Sequence, residues 1–363
     1  MALPSSDQGA AASAAPPGKR HPVEFTAAAG EYFRIWIVNL ALTIVTLGIY
    51  SAWAKVRKRR YFYGHTRVDG ESFEYRASPL AILKGRLIAV AVIAVFYGAG
   101  YFAPLYQLLL WIPLAILVPW LLVRSFAFNA YNTAYRNVRF VFSGTYRTCL
   151  GLVLGYGLLT LVTLGFGFPF LRRRLVQFAM ESHSYGTTRF ALAEGFKKLF
   201  VRPYFVVFGV SFLFGIALLV FFAGMGVVAG AGAKAGSGRQ QWMPMAIIAG
   251  VVVFYALLFL QVAYIKARTV NAVWNHLSIG PVRLESALRA RDLIWLYFSN
   301  LVVVALTIGL ATPWAAVRAM RYRASKTTAI ASGPLDGFAQ GEAQKVSVAG
   351  EEVADFFDFD LAL

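Results

Sequence analysis

Arginine and aromatic residues recur at one spacing in three apolar stretches, and they are the residues best placed to do chemistry. The stretches are 39–61, 156–178 and 300–322. Five, nine and thirteen residues after an aligned glycine come an aromatic residue, an arginine and a second aromatic residue. Aromatic rings settle at the headgroup level of a membrane, and clustered arginines are attracted to anionic lipid. The pattern therefore favours contact with a lipid surface.

We predict these basic and aromatic residues to be interface or lipid anchors. On a helix, residues spaced by four lie on one face, so Trp53, Arg57 and Tyr61 would form a single stripe. The alternative is that the arginines act only as topology signals. The candidates are Trp53, Arg57, Arg60 and Tyr61 in the first stretch, Phe170 and Arg174 in the second, and Trp314, Arg318, Arg321 and Tyr322 in the third.

Small polar residues inside the same stretches suggest a second kind of site. A threonine stands two positions before each aligned glycine, and repeated turns of this kind could converge on a polar path, as broken helices do in transporters. The alternative is ordinary hydrogen bonding between helices. The candidate bend or polar-path residues are Asn39, Thr46, Gly48, Thr163, Gly165, Asn300, Thr307 and Gly309.

Motifs of known catalytic or cofactor chemistry are missing from the sequence. It has no GxxxxGK phosphate loop, no HExxH, no CxxC and no GxSxG. His65, His183 and His276 could ligate a metal only if the fold brought them together. The apolar runs hold no carboxylate, the usual residue of a proton relay. We therefore predict no catalytic site, no cofactor and no metal.

The composition is that of a membrane protein. Of 363 residues, 58% are hydrophobic and 14% charged, against about 25% charged in a soluble domain. About 20 apolar residues cross a bilayer, and six uncharged runs reach that length. They are 35–54, 87–123, 148–171, 203–233, 240–265 and 293–317.

The net charge of +18 fits a membrane partner better than a nucleic acid. Basic residues cluster just beyond the apolar runs, as they do in the cytoplasmic loops of membrane proteins. Nucleic-acid binding needs a soluble basic face, which this composition does not provide. We predict the lipid bilayer, and anionic lipid in particular, as the partner.

These patterns predict an all-α polytopic membrane protein with about seven hydrophobic helices or re-entrant segments in three repeated units. Short β-like loops are expected between the units. The predicted repeat copies lie near 33–63, 149–180 and 293–323, and helical hairpins near 84–128 and 203–268. The membrane domain is predicted at 25–326, after a disordered lead at 1–24 and before an acidic tail at 327–363, which carries a charge of −6.

The topology of the three repeat copies stays open at this point. Twenty apolar residues normally span a bilayer, which favours seven ordinary spans. Seven spans would put two basic segments on the wrong side by the positive-inside rule. If each copy instead enters and returns, all basic segments share the cytoplasmic side.

The segment EYFRIWIVNLALTIVTLGIYSAWAKVRKRRYFYGHTRVDG, with LKGRLIA shortly after it, resembles the YjgN-like family of bacterial inner-membrane proteins. The resemblance runs from about residue 25 to 326 and implies a multi-pass protein of the bacterial inner membrane. It implies no activity and no catalytic residues. The second copy departs from the pattern, with Phe170 in place of Trp53 and Gln177 in place of Arg60.

Two functional classes remain. The first is a transporter or channel-like protein for an unidentified small solute, because duplicated units broken by glycine recur in permeases. The alternative is a non-transporting membrane protein that binds anionic lipid or scaffolds partners through its basic cytoplasmic face. No feature of the sequence sets the oligomeric state.

Overall fold

The structure is a computed structural model that describes residues 18–102, 104–232 and 242–346. Most of the predicted lead, residues 1–17, and the end of the predicted acidic tail, residues 347–363, lie outside the described residues.

Ten short strands form a closed antiparallel barrel. Each strand pairs with its neighbours in the chain, and β1 closes the ring by pairing with both β2 and β10. The strands are β1 (Lys19–Phe25), β2 (Thr66–Val68), β3 (Glu71–Tyr75), β4 (Thr133–Tyr135), β5 (Val138–Phe142), β6 (His183–Tyr185), β7 (Thr188–Leu192), β8 (Leu277–Ile279), β9 (Val282–Ser286) and β10 (Thr327–Ala331).

Five helical hairpins are inserted between strands of this barrel. They are α1 (Ala29–Val45) with α2 (Ser51–Gly64), α3 (Pro79–Phe102) with α4 (Pro104–Tyr131), α5 (Tyr146–Val162) with α6 (Phe168–Glu181), α7 (Phe196–Gly232) with α8 (Trp242–Trp274), and α9 (Ala290–Leu306) with α10 (Thr312–Ser325). A further helix, α11, covers 335–346. Strand direction alternates around an antiparallel barrel. All five hairpins therefore leave from one end of the barrel, and the tight turns between strands lie at the other.

The barrel corrects the prediction of an all-α fold with about seven helices. The strands lie in the short loops between helices, where the sequence indicated only β-like segments. Most have three or five residues, too few to be stable as isolated hairpins. Closing the ring pairs every strand on both sides and leaves no exposed edge. The closing pair, β1 with β10, joins residues about three hundred positions apart, and five of the other pairs bridge a whole helical hairpin. Local patterns therefore did not reveal the barrel.

Aromatic and aliphatic side chains fill the tight-turn end of the barrel. Tyr135 donates from its hydroxyl to the carbonyl of Val68 at 2.8 Å, and Tyr185 donates to the carbonyl of Tyr135 at 3.0 Å. Helix α11 packs Leu335 and Phe338 against this cluster. The buried hydroxyls are thus satisfied, and α11 covers this end of the core.

The predicted ends of the membrane domain also need correction. Residues 19–24 of β1 fall in the predicted lead, and β10 and α11 fall in the predicted acidic tail. Both strands are needed to close the ring, since they pair with each other through His21 and Ala329. The ordered unit therefore extends beyond 25–326 in both directions.

Among the described residues, four helices are long and apolar enough to cross a membrane. They belong to two hairpins, α3–α4 and α7–α8. The segments are Pro79–Tyr101, Leu109–Tyr131, Phe196–Gly224 and Met245–Trp274, with mean hydropathies of 2.1, 1.9, 2.8 and 2.5. The sequence analysis expected about seven hydrophobic helices or re-entrant segments, and only these four of the described helices meet the length and hydropathy of a span.

The other three hairpins are short and share one geometry. Each pairs a helix of 17 residues with a helix of 14 residues. These are the three stretches that carry the repeated arginine pattern. Each hairpin begins and ends at the barrel, so the chain returns to the end of the barrel from which it left.

A left-handed backbone turn reverses each short hairpin. Gly48, Gly165 and Gly309 have φ of +93°, +96° and +88°. A side chain is strained in this conformation, whereas glycine is not. Nothing lies within 4 Å of a Cβ placed at any of the three, so the glycines serve the bend and not close packing.

We expect Gly309→Ala to lower the melting temperature, because alanine at this φ costs about 1–2 kcal/mol. In a chain of this size that corresponds to a fall of about 1–3 °C. Gly209→Ala is the matched control, since Gly209 lies in α7 with the same open surroundings and no positive φ. The measurement is thermal unfolding of the two purified variants. Equal melting temperatures would show that alanine is not strained at position 309.

Candidate functional site

The threonine hydroxyls of the three short hairpins are held inside their own turns. Thr46 donates to the Leu42 carbonyl at 2.7 Å and accepts from the Tyr50 amide at 2.9 Å. Thr163 and Thr307 repeat both contacts in their hairpins. Each hydroxyl thus joins the end of one helix to the start of the next. The threonines and glycines are placed as helix-bend residues.

The tips of the short hairpins are apolar and point away from the protein. Leu47, Leu164 and Ile308 have exposed fractions of 94%, 91% and 94%. Their neighbours at the tips are also uncharged. Such tips suit the hydrocarbon interior of a bilayer, because large exposed apolar patches are rare in water.

The aligned arginine contacts the first helix of its hairpin in two of the three copies. Arg318 donates to Asn300 at 2.9 Å, and Arg174 donates to the Tyr156 hydroxyl at 3.0 Å. Asn39 is the counterpart of Asn300 in the first copy; it is buried, and its Oδ1 has no hydrogen-bond partner in the part of the chain the structure describes. Arg57 points to the surface instead. The three copies therefore differ in detail.

The first aromatic residue of each copy lies beside the base of its hairpin. Trp314 has the guanidinium of Arg318 5.1 Å above its ring. Phe170 lies under Arg173 at 5.6 Å. Trp53 stacks on Tyr50 with ring centroids 6.0 Å apart. Cation–π pairs suit the headgroup level, because the ring can contact apolar groups there while the cation stays hydrated.

The remaining predicted anchors tie the hairpins to the barrel. Arg60 donates to the carbonyl of Ala77 at 3.3 Å, and Arg321 donates to that of Ala27 at 2.9 Å. Tyr61 is buried, so Trp53, Arg57 and Tyr61 do not form one lipid-facing stripe.

Tyr322 makes the same kind of link in the third hairpin. Its hydroxyl accepts from the Arg289 amide at 3.2 Å and donates to Asp292 at 3.3 Å. Both partners lie where the chain passes from the barrel into α9. Tyr322 of α10 therefore holds the start of α9 in place.

A basic cleft of about 820 Å³ lies between α9 and α10, at the barrel end of the third hairpin. It brings together the predicted residues Arg318, Arg321 and Tyr322 and adds residues that the sequence analysis did not single out. Its lining includes Arg291, Asp292, Trp295, Arg318, Arg321 and Tyr322. Three arginines face one carboxylate, so the cleft is cationic.

A second basic cleft, of about 400 Å³, lies between α6 and α7. It includes Phe170 but not Arg174, which contacts Tyr156. Its lining residues are Phe170, Arg173, Lys197, Lys198, Val201, Arg202 and Phe205. This lining has four cations and no carboxylate. The Nε of Arg173 is buried and has no hydrogen-bond partner among the described residues.

The sequence analysis missed Lys197, Lys198 and Arg202. The signal was the segment FKKLFVR, which ends directly before the apolar run that starts at Pro203. Cations at that boundary lie at headgroup level once α7 is in a bilayer. The tertiary contact between α6 and α7 was needed to turn this boundary into a cleft.

The histidines in loops serve the ends of helices. His65, His183 and His276 each place Nδ1 against the carbonyl four residues earlier. In the described parts of the chain, no group of three histidine, cysteine, aspartate or glutamate residues could hold a metal ion. The three histidines therefore finish α2, α6 and α8 and do not meet.

A family profile described as "Bacterial protein of unknown function (DUF898)" matches residues 20–356. The chain belongs to this family. It is 23% identical to the inner membrane protein YjgN of Salmonella typhimurium, over 87% of this chain and 89% of that relative. It is 32% identical to the YjgN of Escherichia coli O157:H7, over 34% of this chain and 31% of that relative. No solved structure matches.

These relatives confirm the expected family. Their name and the four apolar helices identify the chain as an inner-membrane protein. The family description assigns no activity, so the function must be argued from the site.

Proposed function

We propose that this inner-membrane protein binds anionic phospholipid headgroups through its basic clefts. The observation that carries the proposal is the α6–α7 cleft, whose lining holds Arg173, Lys197, Lys198 and Arg202 and no carboxylate. Of these cations, Lys197 is paired with Glu194 at 2.7 Å, beside the cleft. The exposed Phe205 stands at the edge of the same cleft. A phospholipid would place its phosphate among the cations and its acyl chains along α7.

Charge and position both support this ligand. A lysine or arginine near an anionic membrane surface contributes about 1 kcal/mol. Three of the four cations in the cleft have no ion pair among the described residues, and Lys197 pairs with Glu194. The cleft therefore gives a local preference of a few kcal/mol for anionic over neutral headgroups. The α9–α10 cleft provides a weaker second site, because Asp292 offsets part of its charge.

The fold supports a cytoplasmic location for both clefts. All five hairpins leave one end of the barrel, so the barrel and the bases of the hairpins lie on the same side of the membrane. Lysine and arginine accumulate on the cytoplasmic side. The clefts would then meet the cytoplasmic leaflet, whose lipids are anionic.

Transport of a small solute has less support from the geometry. The hydroxyls of Thr46, Thr163 and Thr307 are engaged within their turns. The barrel interior is filled at its turn end by Tyr135 and Tyr185, with α11 packed over them. Lipid binding requires neither a polar path nor an open barrel, so we favour it.

The test is lipid retention by the purified full-length protein, measured by native mass spectrometry. The double variant Lys198→Gln with Arg202→Gln should retain less phosphatidylglycerol relative to phosphatidylcholine. Removing two cations worth about 1 kcal/mol each predicts a loss of about thirtyfold in preference.

The matched control is Arg189→Gln with Arg283→Gln. It removes the same charge from exposed positions next to the tight turns, at the far end of the barrel. Equal retention by the two double variants would contradict the proposal, because net charge alone would then explain binding.

A further inference from the structure

The five hairpins differ in how far they could reach into a membrane. Ten helices leave the barrel as five hairpins from one end. Only four of the described helices are long and apolar enough to cross. The six helices of the short hairpins therefore have to be accommodated in the leaflet next to the barrel.

Charged residues limit how deep the short hairpins can enter. Lys55 follows Gly48 by seven residues, and Arg172 follows Gly165 by seven. Seven residues of helix rise about 10 Å. Arg318 follows Gly309 by nine residues, which rise about 13 Å. One leaflet contributes about 15 Å of a bilayer core about 30 Å thick, so the tips end near the middle.

The tips fit the acyl chains of one leaflet better than they fit water or another protein. The three outermost residues, Leu47, Leu164 and Ile308, are more than nine-tenths exposed. The helices return to cationic residues at similar depths in all three hairpins. This arrangement matches a planar apolar layer as thick as one leaflet and bounded by a polar surface. The acyl chains and headgroups of a lipid leaflet provide such a layer.

We propose that the three short hairpins form a one-sided wedge, by which the protein prefers and promotes membrane that is convex on its barrel side. A helix with its side chains is about 10–12 Å wide, so six of them occupy on the order of 500 Å² in the near leaflet. The far leaflet receives no matching area from them. An excess of area in one leaflet makes the bilayer convex on the side of that leaflet.

This inference goes beyond headgroup binding and does not depend on it. The wedge arises from the length and exposure of the hairpins, whereas headgroup binding arises from the charge of the clefts. A neutral membrane therefore separates the two proposals.

The experiment uses full-length protein in giant vesicles of phosphatidylcholine, from which narrow tubes are pulled. With the barrel facing outwards, protein density on the tube should exceed that on the vesicle severalfold. With the barrel facing the lumen, the tube should be depleted of protein. Equal densities in both orientations would overturn the wedge.

A triple variant, Leu47→Lys with Leu164→Lys and Ile308→Lys, should lose the enrichment because charged tips are drawn out of the acyl layer. The matched control places three lysines at exposed positions of α11, as Gln340→Lys, Ala343→Lys and Gln344→Lys. If the tip variant fails to fold, serines at the same three positions provide a milder test. Enrichment that survives in a folded tip variant would also refute the wedge.

Discussion

A cysteine introduced at Leu47, Leu164 or Ile308 should resist a membrane-impermeant maleimide added from either side of the membrane. These positions are the most exposed of the apolar tips, so protein does not shield them. The reason for protection is the bilayer itself, which the tips enter without reaching the opposite surface. We expect almost no labelling at the three tips in sealed vesicles of either orientation, and full labelling after detergent is added.

The controls are Arg283→Cys in the barrel and Gln340→Cys on α11, both exposed. They should label from the cytoplasmic side only. Cys149 is the single native cysteine and is fully buried, so the background should be low. Labelling of the tips from the periplasmic side would show that the short hairpins span the membrane, and labelling from the cytoplasmic side would place them outside the bilayer.

Substitution of Glu342 by alanine should release α11 from the barrel. This carboxylate is 1% exposed and accepts hydrogen bonds from the amides and hydroxyls of Thr187 and Thr188 at 2.6–3.1 Å. Lys345 adds a contact at 2.9 Å. Removing a buried charged partner and leaving its donors unpaired costs about 3–5 kcal/mol. Hydrogen exchange of α11 should therefore rise by two orders of magnitude or more.

Lys345→Gln is the control for the same contact. Lys345 is largely exposed, with 62% of its side chain accessible, so its loss should cost less than about 1 kcal/mol. Hydrogen exchange in α11 that is unchanged by Glu342→Ala would show that apolar packing of Leu335 and Phe338 is sufficient.

The same carboxylate predicts a dependence on pH. Burial alone would raise the pKa of Glu342, but the hydrogen bonds from Lys345, Thr187 and Thr188 outweigh it and lower the pKa to about 2. Because the pKa of Glu342 is lower in the folded protein, its carboxylate contributes its full stability above the unfolded pKa. That stability is lost as the pH falls towards the folded pKa. The docking of α11 should therefore weaken between pH 4.5 and 2, and Glu342→Gln should abolish that dependence.

Some of the residues singled out from the sequence depend on one element alone. The glycine bends in the short hairpins depend on φ at a single residue, and an aligned glycine signals this directly. The cationic boundaries of the helices also follow from residue order. Arg318, Arg321 and Tyr322 belong to one helix and do line one cleft.

Partners from other elements changed the role of several predicted residues. Arg60 and Arg321 were expected to face lipid, but carbonyls from other segments accept their hydrogen bonds. Lys197 and Lys198 were overlooked because they form a cleft only together with Arg173 of another helix. Contacts of this kind depend on how α1, α6, α7 and α10 approach one another, which no local pattern encodes.

The sequence by itself determined that this is a membrane protein of a recognisable family, with apolar helices that are flanked by basic residues. Hydropathy and charge decide these properties because a bilayer sorts residues by their individual transfer free energies. Only the tertiary structure decided that the chain closes a ten-stranded barrel and that all five hairpins, the three short ones included, return to one end of it. Ring closure depends on pairing between distant segments, because β1 meets β10 across about three hundred residues. The alternation of strand direction around the ring then directs every hairpin from the same end.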